Sequence, residues 1–403
     1  MKASLSTFPK HKLGELCEIN IGKTPSRSKP SYWGGENPWL SIADMNQGRS
    51  LWRTKESITN EGIRASGIKP VPKNTLLLSY KLSIGKVGIT ERDMFTNEAI
   101  AALPVIDPSI LSVDYLYWTL STIDLLETSD RAAMGATLNK AKLKELQIPL
   151  PPLDEQKRIA AILDAADALR AKRRQSIAQL DALIQSTFLD LFGDALDSAP
   201  VDIASDRKTL PKGCTWTLLT DVARLATGHT PDRERSDYWN GEIPWISLTD
   251  IRNLDGKIAK ATLQSVTPLG IDNSSSVLLP KNTVCFSRTA SVGFVTVMGR
   301  EMCTSQDFMN WVCGEKIEPI YLMWALIISR KRLLALSTGS THRTIYMRVI
   351  ERFRVLLPAI EKQRRFAAIV ESIEHQKTTQ RTHLAELDTL FAALQHRAFR
   401  GEL

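Results

Sequence analysis

The sequence predicts an α+β protein with two tandem-repeat globular domains of mixed α/β content. Two long helices separate the domains and form an antiparallel coiled coil, giving pseudo-twofold symmetry. Three observations carry this expectation. The motifs of the first half return in the second at a nearly constant offset of 206 to 208 residues. Short apolar runs punctuated by Pro, Gly and Asn alternate with brief helical patterns in each copy. Each copy then ends in a long stretch whose apolar residues recur at steps of three and four. The expected boundaries are 1–150 for the first domain, 151–195 for the first helix, 196–356 for the second domain and 357–403 for the second helix.

The repeat comes first because it organises everything else. Gly22-x-Thr24-Pro25 recurs as Gly228-x-Thr230-Pro231. Tyr32-Trp33-Gly34-Gly35-Glu36-Asn37-Pro38-Trp39-Leu40-Ser41 recurs as Tyr238-Trp239-Asn240-Gly241-Glu242-Ile243-Pro244-Trp245-Ile246-Ser247, and Asp44 matches Asp250. Pro72-Lys73-Asn74-Thr75 returns as Pro280-Lys281-Asn282-Thr283, and Leu150-Pro151 as Leu357-Pro358. A register that drifts by two residues over this span marks a duplication.

Within each copy, Thr75–Tyr80 and Val284–Ser287 have the composition of buried strands, bounded by turn residues. Asp114–Trp118 and Tyr321–Trp324 open short helices by their apolar spacing. Pro151-Pro152 then stops the preceding strand, and Asp154 caps the long helical stretch beyond it. No Gly or Pro occurs from Glu155 to Asp190. Helical spacing places Ile159, Ile162, Leu169, Leu180 and Ile184 on one face of the first helix. It places Ile369, Ile373, Leu384, Leu387 and Phe391 on one face of the second. A helix this long extends about 55 Å at 1.5 Å per residue. A narrow stripe on such a helix is most economically covered by its counterpart from the other copy.

Composition narrows the function. The chain has 403 residues, 43% hydrophobic and 24% charged, so disorder and fibrous repeats are excluded. The longest apolar run, Tyr321–Ile328, is far short of the roughly 20 residues a bilayer requires, and Met1–Lys10 lacks an apolar signal segment. Five unpaired-looking cysteines fit reduced thiols, so a cytoplasmic location is expected. Of the net charge of +8, residues 1–150 carry +4 and residues 200–356 carry +5, whereas the helical segments together carry −1. A polyanionic partner is one reading of that distribution.

No catalytic constellation emerges. Asn37-Pro38-Trp39 only partly resembles a methyltransferase motif, and the second copy has Ile243 at that position. Gly62–Ile68 has the glycine spacing of a phosphate loop, but Ile68 stands where its lysine belongs. The six histidines include no i, i+4 metal pair. The expectation is therefore no catalytic residue, no metal site and no cofactor bound by this chain.

Binding loops are easier to find. Lys23, Thr24, Arg27 and Lys29 follow the first glycine turn, and His229, Thr230, Arg233 and Arg235 follow its counterpart. A second loop carries Lys81 and Lys86, matched by Arg288 and Thr289. A third carries Lys140, matched by His342 and Arg343. In each loop glycine permits close backbone approach, while cations and hydroxyls suit phosphate or base edges. The aromatics beside the first loop are better explained as packing. The scaffold repeats and the polar loop residues diverge, as expected if each copy reads a different sequence. A non-enzymatic coiled-coil scaffold binding protein partners remains the alternative.

On these residues the chain resembles the DNA specificity subunit of Type I restriction–modification systems. The resemblance rests on Tyr-Trp-x-Gly-Glu-x-Pro-Trp-x-Ser-x-x-Asp in both copies, on Pro151-Pro152-Leu153-x-Glu155-Gln156 opening a long helix, and on the closing Phe399-Arg400-Gly401-Glu402-Leu403. The pattern departs at Pro358-Ala359, at Tyr80-Lys81 and at Asn97-Glu98, where the second copy keeps Gln306. The resemblance implies two target recognition domains, each reading half of an asymmetric, interrupted site on double-stranded DNA. It implies helices that set the gap and dock two methyltransferase subunits, with restriction subunits as further partners. S-adenosylmethionine, ATP and Mg would then belong to those partners, and no membrane would be involved.

Overall fold

The computed structural model describes residues 8–81, 83–125, 130–132, 135–193, 213–339 and 343–403. The chain divides into two units, Met1–Arg174 with Thr382–Leu403, and Gln175–Arg381. Both are mixed α and β, and the described elements follow the same order.

In the first unit, five strands pair in the order Asn20–Ile21, Ile100–Leu103, Leu76–Ser79, Val87–Thr90, Ser50–Leu51. A three-stranded sheet is centred on Trp33–Leu40, with Glu56–Ile58 antiparallel and Phe95–Thr96 parallel to it. The second unit repeats this: Ala223–Thr227, Phe308–Cys313, Val284–Ser287, Val295–Met298 and Ile258–Ala259 form the larger sheet, and Trp239–Ile246 centres the smaller. The apolar runs Leu76–Ser79 and Val284–Ser287 are buried throughout, as central strands covered on both faces must be.

The polar letters shared by the two motif copies are turn-makers. Asp44 accepts from the Ser41 N–H at 2.9 Å and the Ser41 hydroxyl at 2.7 Å, and Asp250 does the same for Ser247 at 3.0 and 2.6 Å. Both carboxylates are buried, so these bonds satisfy groups that would otherwise be costly. Gly34 and Asn240 have φ of 81° and 62°, which explains why Gly in one copy and Asn in the other fill that place.

Near the start of each long helix a buried glutamine ties it to the neighbouring globular part. Gln156 is fully buried; its Oε1 accepts the Ser112 N–H at 2.9 Å and its Nε2 donates to the carbonyls of Ile110 and Pro151, both at 2.8 Å. Gln363 accepts the Glu318 N–H at 2.9 Å and donates to the carbonyls of Lys316 at 3.2 Å and Pro358 at 2.8 Å.

The helices Leu153–Phe192 and Ile360–Ala398 contribute to both units. In the first unit Ile159, Leu163 and Ala166 share a core with Phe391 and Ala398. In the second, Ile184, Phe188 and Phe192 share one with Phe366, Val370 and Ile373. The two segments run antiparallel within each unit, since residues early in one helix meet residues late in the other. Buried and half-buried positions of the second helix include the series 363, 366, 370, 373, 377, 380, 384, 387, 391, 394 and 398. Alternating steps of three and four are the heptad spacing of a coiled-coil seam. Of the residues expected on the paired faces, Ile159, Ile184, Ile373 and Phe391 are buried, and Ile162, Leu180, Ile369, Leu384 and Leu387 are half-buried.

Leu169 departs from that expectation, being 53% exposed. The seam passes through 166, 170 and 173, so Arg170 takes the place assigned to Leu169. Its guanidinium lies 4.2 Å from the centre of the Phe391 ring, and its Nε donates to Asp388 at 2.6 Å. The repeat-equivalent cation, Lys377, is 5% exposed and contacts Asp181 at 2.6 Å. Long cationic side chains suit the seam because their stems are apolar.

Two outcomes are expected. Gln156→Leu keeps the volume but leaves one buried N–H and two carbonyls unpaired, at about 3 kcal/mol or more, read as a lower midpoint in urea unfolding. Lys377→Met removes a buried charge whose acid partners, Asp181 and Glu374, keep access to solvent. It should leave stability unchanged or raise it by about 1 kcal/mol in the same assay.

Candidate nucleic-acid interface

The glycine turn is placed by close packing. A Cβ on Gly22 would stand 2.2 Å from the Thr96 carbonyl oxygen, and one on Gly228 would stand 2.1 Å from that of Ser305. Only glycine lets these loops press against the neighbouring strand end. Two tryptophans then pin each loop from below. Trp39 Nε1 donates to the Lys23 carbonyl at 3.0 Å and Trp33 Nε1 to that of Ser26 at 3.2 Å. Trp245 and Trp239 do likewise for His229 at 3.1 Å and Asp232 at 2.9 Å. The ring pairs are edge-on, with centroids 5.0 and 5.1 Å apart.

The remaining loops converge on this one. In the second unit, the Arg288 carbonyl accepts from Ile345 N–H at 2.9 Å, and the Ala290 N–H donates to the Arg343 carbonyl at 3.0 Å, joining loops two and three. Arg288 Nε and Nη2 donate to the Gln306 carbonyl at 3.2 and 3.1 Å, and Gln306 Oε1 accepts from the Thr230 hydroxyl at 2.5 Å. In the first unit the Tyr80 hydroxyl donates to the Glu98 carbonyl at 2.9 Å, and the Thr24 hydroxyl donates to the Glu98 carboxylate. Lys23, Thr24, Ser26, Lys29, Tyr32 and Glu98 line a groove of about 510 Å³.

The individual cations differ in how free they are. Lys23 Nζ is spent on the carbonyls of Ser66 and Gly67, both at 3.2 Å, at the end of the helix Asn60–Ser66. Arg27 lies 3.8 Å over Trp33 and binds the Glu56 carboxylate through both terminal nitrogens, one of them at 2.9 Å. That bond raises the Arg27 pKa and lowers that of Glu56. Arg233 stacks 4.3 Å over Trp239 but meets the neutral Gln264 at 3.1 Å, so its charge is not cancelled. Arg235 forms two hydrogen bonds to Asp237, at 3.0 and 2.8 Å. Lys29 reaches the Tyr32 hydroxyl at 3.2 Å and Lys86 reaches Asn46 at 2.7 Å. Lys81, Lys140, His229 and Arg343 are exposed, and Thr289 is half-buried. His342 lies outside the described residues. Spacing alone missed Glu56 and Gln264, and it left Glu98 and Gln306 as a difference between the copies; comparison at offset 208 exposes both carboxylate-to-amide exchanges.

Among the described residues no group of three or more His, Cys, Asp or Glu is placed to hold a metal, and no helix is long and apolar enough to cross a membrane. Burial pushes the Cys17, Cys303 and Cys313 thiols up to about 12, which leaves them uncharged.

The fold and loops define a class: a duplicated α+β chain in which one scaffold is used twice under two different sets of polar side chains. Residues 6–181 and 212–389 match the Type I restriction modification DNA specificity domain, and the chain belongs to that family. It is similar to the Type I restriction enzyme MjaIX specificity subunit of Methanocaldococcus jannaschii, at 22% identity over 97% of this chain and 92% of that one. It is 30% identical to the EcoR124I/EcoR124II specificity subunit of Escherichia coli over 47% of this chain and 48% of that one. Its fold is similar to that of the Type-I restriction-modification S subunit from M. genitalium, with a TM-score of 0.58 at 15% identity over 99% and 98% of the two chains. It is also similar to a chain from a structural study of type I R-M complex assembly and conformational transition, with a TM-score of 0.61 at 18% identity over 99% and 100%.

Glu56→Ala releases Arg27 without touching the tryptophans beneath it. DNA binding measured against salt should then steepen by about one unit of slope, because one more cation displaces a counterion. Acidification should act in the same direction, but only below the ordinary glutamate range, because Arg27 holds the Glu56 pKa down.

Proposed function

We propose that this chain is the sequence-reading subunit of a Type I restriction–modification complex and performs no catalysis itself. One observation carries the reading: the same loop scaffold appears twice, pinned by the same tryptophans, with different hydrogen-bonding groups on top. A scaffold kept constant under diverging polar atoms suits two recognition surfaces for one kind of partner. The recognition domains are residues 1–150 and 196–356, each meeting one half of an asymmetric site on double-stranded DNA.

The cations of the loops position the duplex through its phosphates, and the neutral and acidic groups among them read base edges. The two long helices, each shared between the units, set the unread gap and dock two methyltransferase subunits. S-adenosylmethionine, ATP and Mg are bound by those and the restriction subunits, in the cytoplasm. In that complex the adenine to be methylated is taken out of the duplex by the partner. This chain contributes the choice of site, through the groups described above.

Exchange of residues 12–150 for the corresponding block of a relative, with the partner methyltransferase present, tests the reading. Methylated sites sequenced from such a complex should differ in one half-site only. Loss or change of both halves would contradict it, as would methyl transfer from labelled S-adenosylmethionine by the purified chain alone.

A further inference from the structure

The carboxylate-to-amide exchange at 98 and 306 has a chemical consequence. Both residues are exposed, and both have their backbone carbonyl fixed, by Tyr80 in one unit and Arg288 in the other. Each holds the hydroxyl of the glycine-turn threonine, Thr24 or Thr230. The scaffold is thus served equally well by either side chain, and only the atom left over differs. A carboxylate accepts hydrogen bonds and donates none, so Thr24 takes Oε2 and leaves Oε1 as an acceptor. Thr230 takes the Gln306 Oε1 and leaves the Nε2 amide as a donor. Neither remaining atom has a hydrogen-bond partner among the described residues.

We propose that Glu98 and Gln306 are specificity-determining residues: Glu98 accepts from the exocyclic amine of cytosine or adenine, and Gln306 donates to the carbonyl of guanine or thymine. The inference rests on the DNA-reading function proposed above and adds which side chain reads and which class of base it takes. Charge supports a base edge over the backbone for Glu98. A carboxylate is repelled by phosphate, and here it sits in a groove with Lys29, whose ammonium suits the phosphates instead. In the major groove every base pair offers an amine on one side and a carbonyl on the other, so acceptor and donor select opposite orientations of a pair. Glu56 and Gln264 show the same exchange, but Arg27 takes both Glu56 oxygens and leaves no free acceptor there, and Arg233 takes the Gln264 Oε1.

Sites selected from a randomised duplex pool by the complex of this chain with its methyltransferase partner test the proposal. Glu98→Gln, with Thr24 holding the amide oxygen, should replace an amine base by a carbonyl base at one position of one half-site. The preference should change by about tenfold or more, with the other half-site and the gap unaltered. Gln306→Glu should do the reverse in the other half. Glu98→Met keeps the bulk without donor or acceptor and should flatten the preference at that position; its melting temperature verifies the fold. An unaltered consensus in all three variants overturns the proposal, as does an affinity change that is uniform across sequences. If the wild-type complex selects no interrupted sequence, the DNA-reading function itself fails; if it does and the variants leave the sequence unaltered, only this inference fails.

Discussion

The largest hydrophobic core of each unit is closed by a helix segment from the other sequence copy. Phe391 and Ala398, near the end of the chain, pack with Ile159, Leu163 and Trp118 of the first copy. Ile184, Phe188 and Phe192, from the first copy's helix, pack with Phe366, Tyr321 and Trp311 of the second. Neither repeat therefore contains its whole core. The helix segments and the globular parts share buried apolar surface, with these aromatics among its largest members. Gln156 and Gln363 join the helices to the β-rich parts as well, because each ties the first turn of a helix to the loop entering a short packed helix.

The charges are complementary in the observed direction of pairing. Arg170 and Lys377 are 207 residues apart, as are Asp181 and Asp388. In the antiparallel arrangement each cation meets the other helix's carboxylate: Arg170 meets Asp388, and Lys377 meets Asp181. A parallel, in-register pairing of equivalent residues would set Arg170 against Lys377 and Asp181 against Asp388. Like charges at those positions disfavour it, and a polar residue in a seam is a known means of fixing register.

Much of this was legible in the sequence. The offset revealed the duplication, and periodicity revealed the helices, because both are properties of spacing. Leu169 was misplaced for the same reason: apolar character suggested the stripe, whereas a period of 3.5 carries the seam to Arg170, whose stem and stacking on Phe391 take a leucine's role. Lys23 looked like a ligand group and is a clamp on helix-terminal carbonyls, because a lysine's partner depends on which chain segment folds over it. Glu98 looked like a departure from a pattern. Its meaning depends on Thr24, 74 residues away in sequence, which no local spacing reports.

The loops sit on strand ends and turns whose geometry is set by Gly22, Gly228 and four tryptophans, so polar atoms can change without loss of the scaffold. Function thereby separates into a constant frame and a variable surface. The most direct measurement of the central claim is methylome sequencing of a host that expresses this chain with its methyltransferase partner. An interrupted, asymmetric motif with a constant gap is the expected result. Methylation at a single uninterrupted sequence would contradict two separate reading surfaces on one frame.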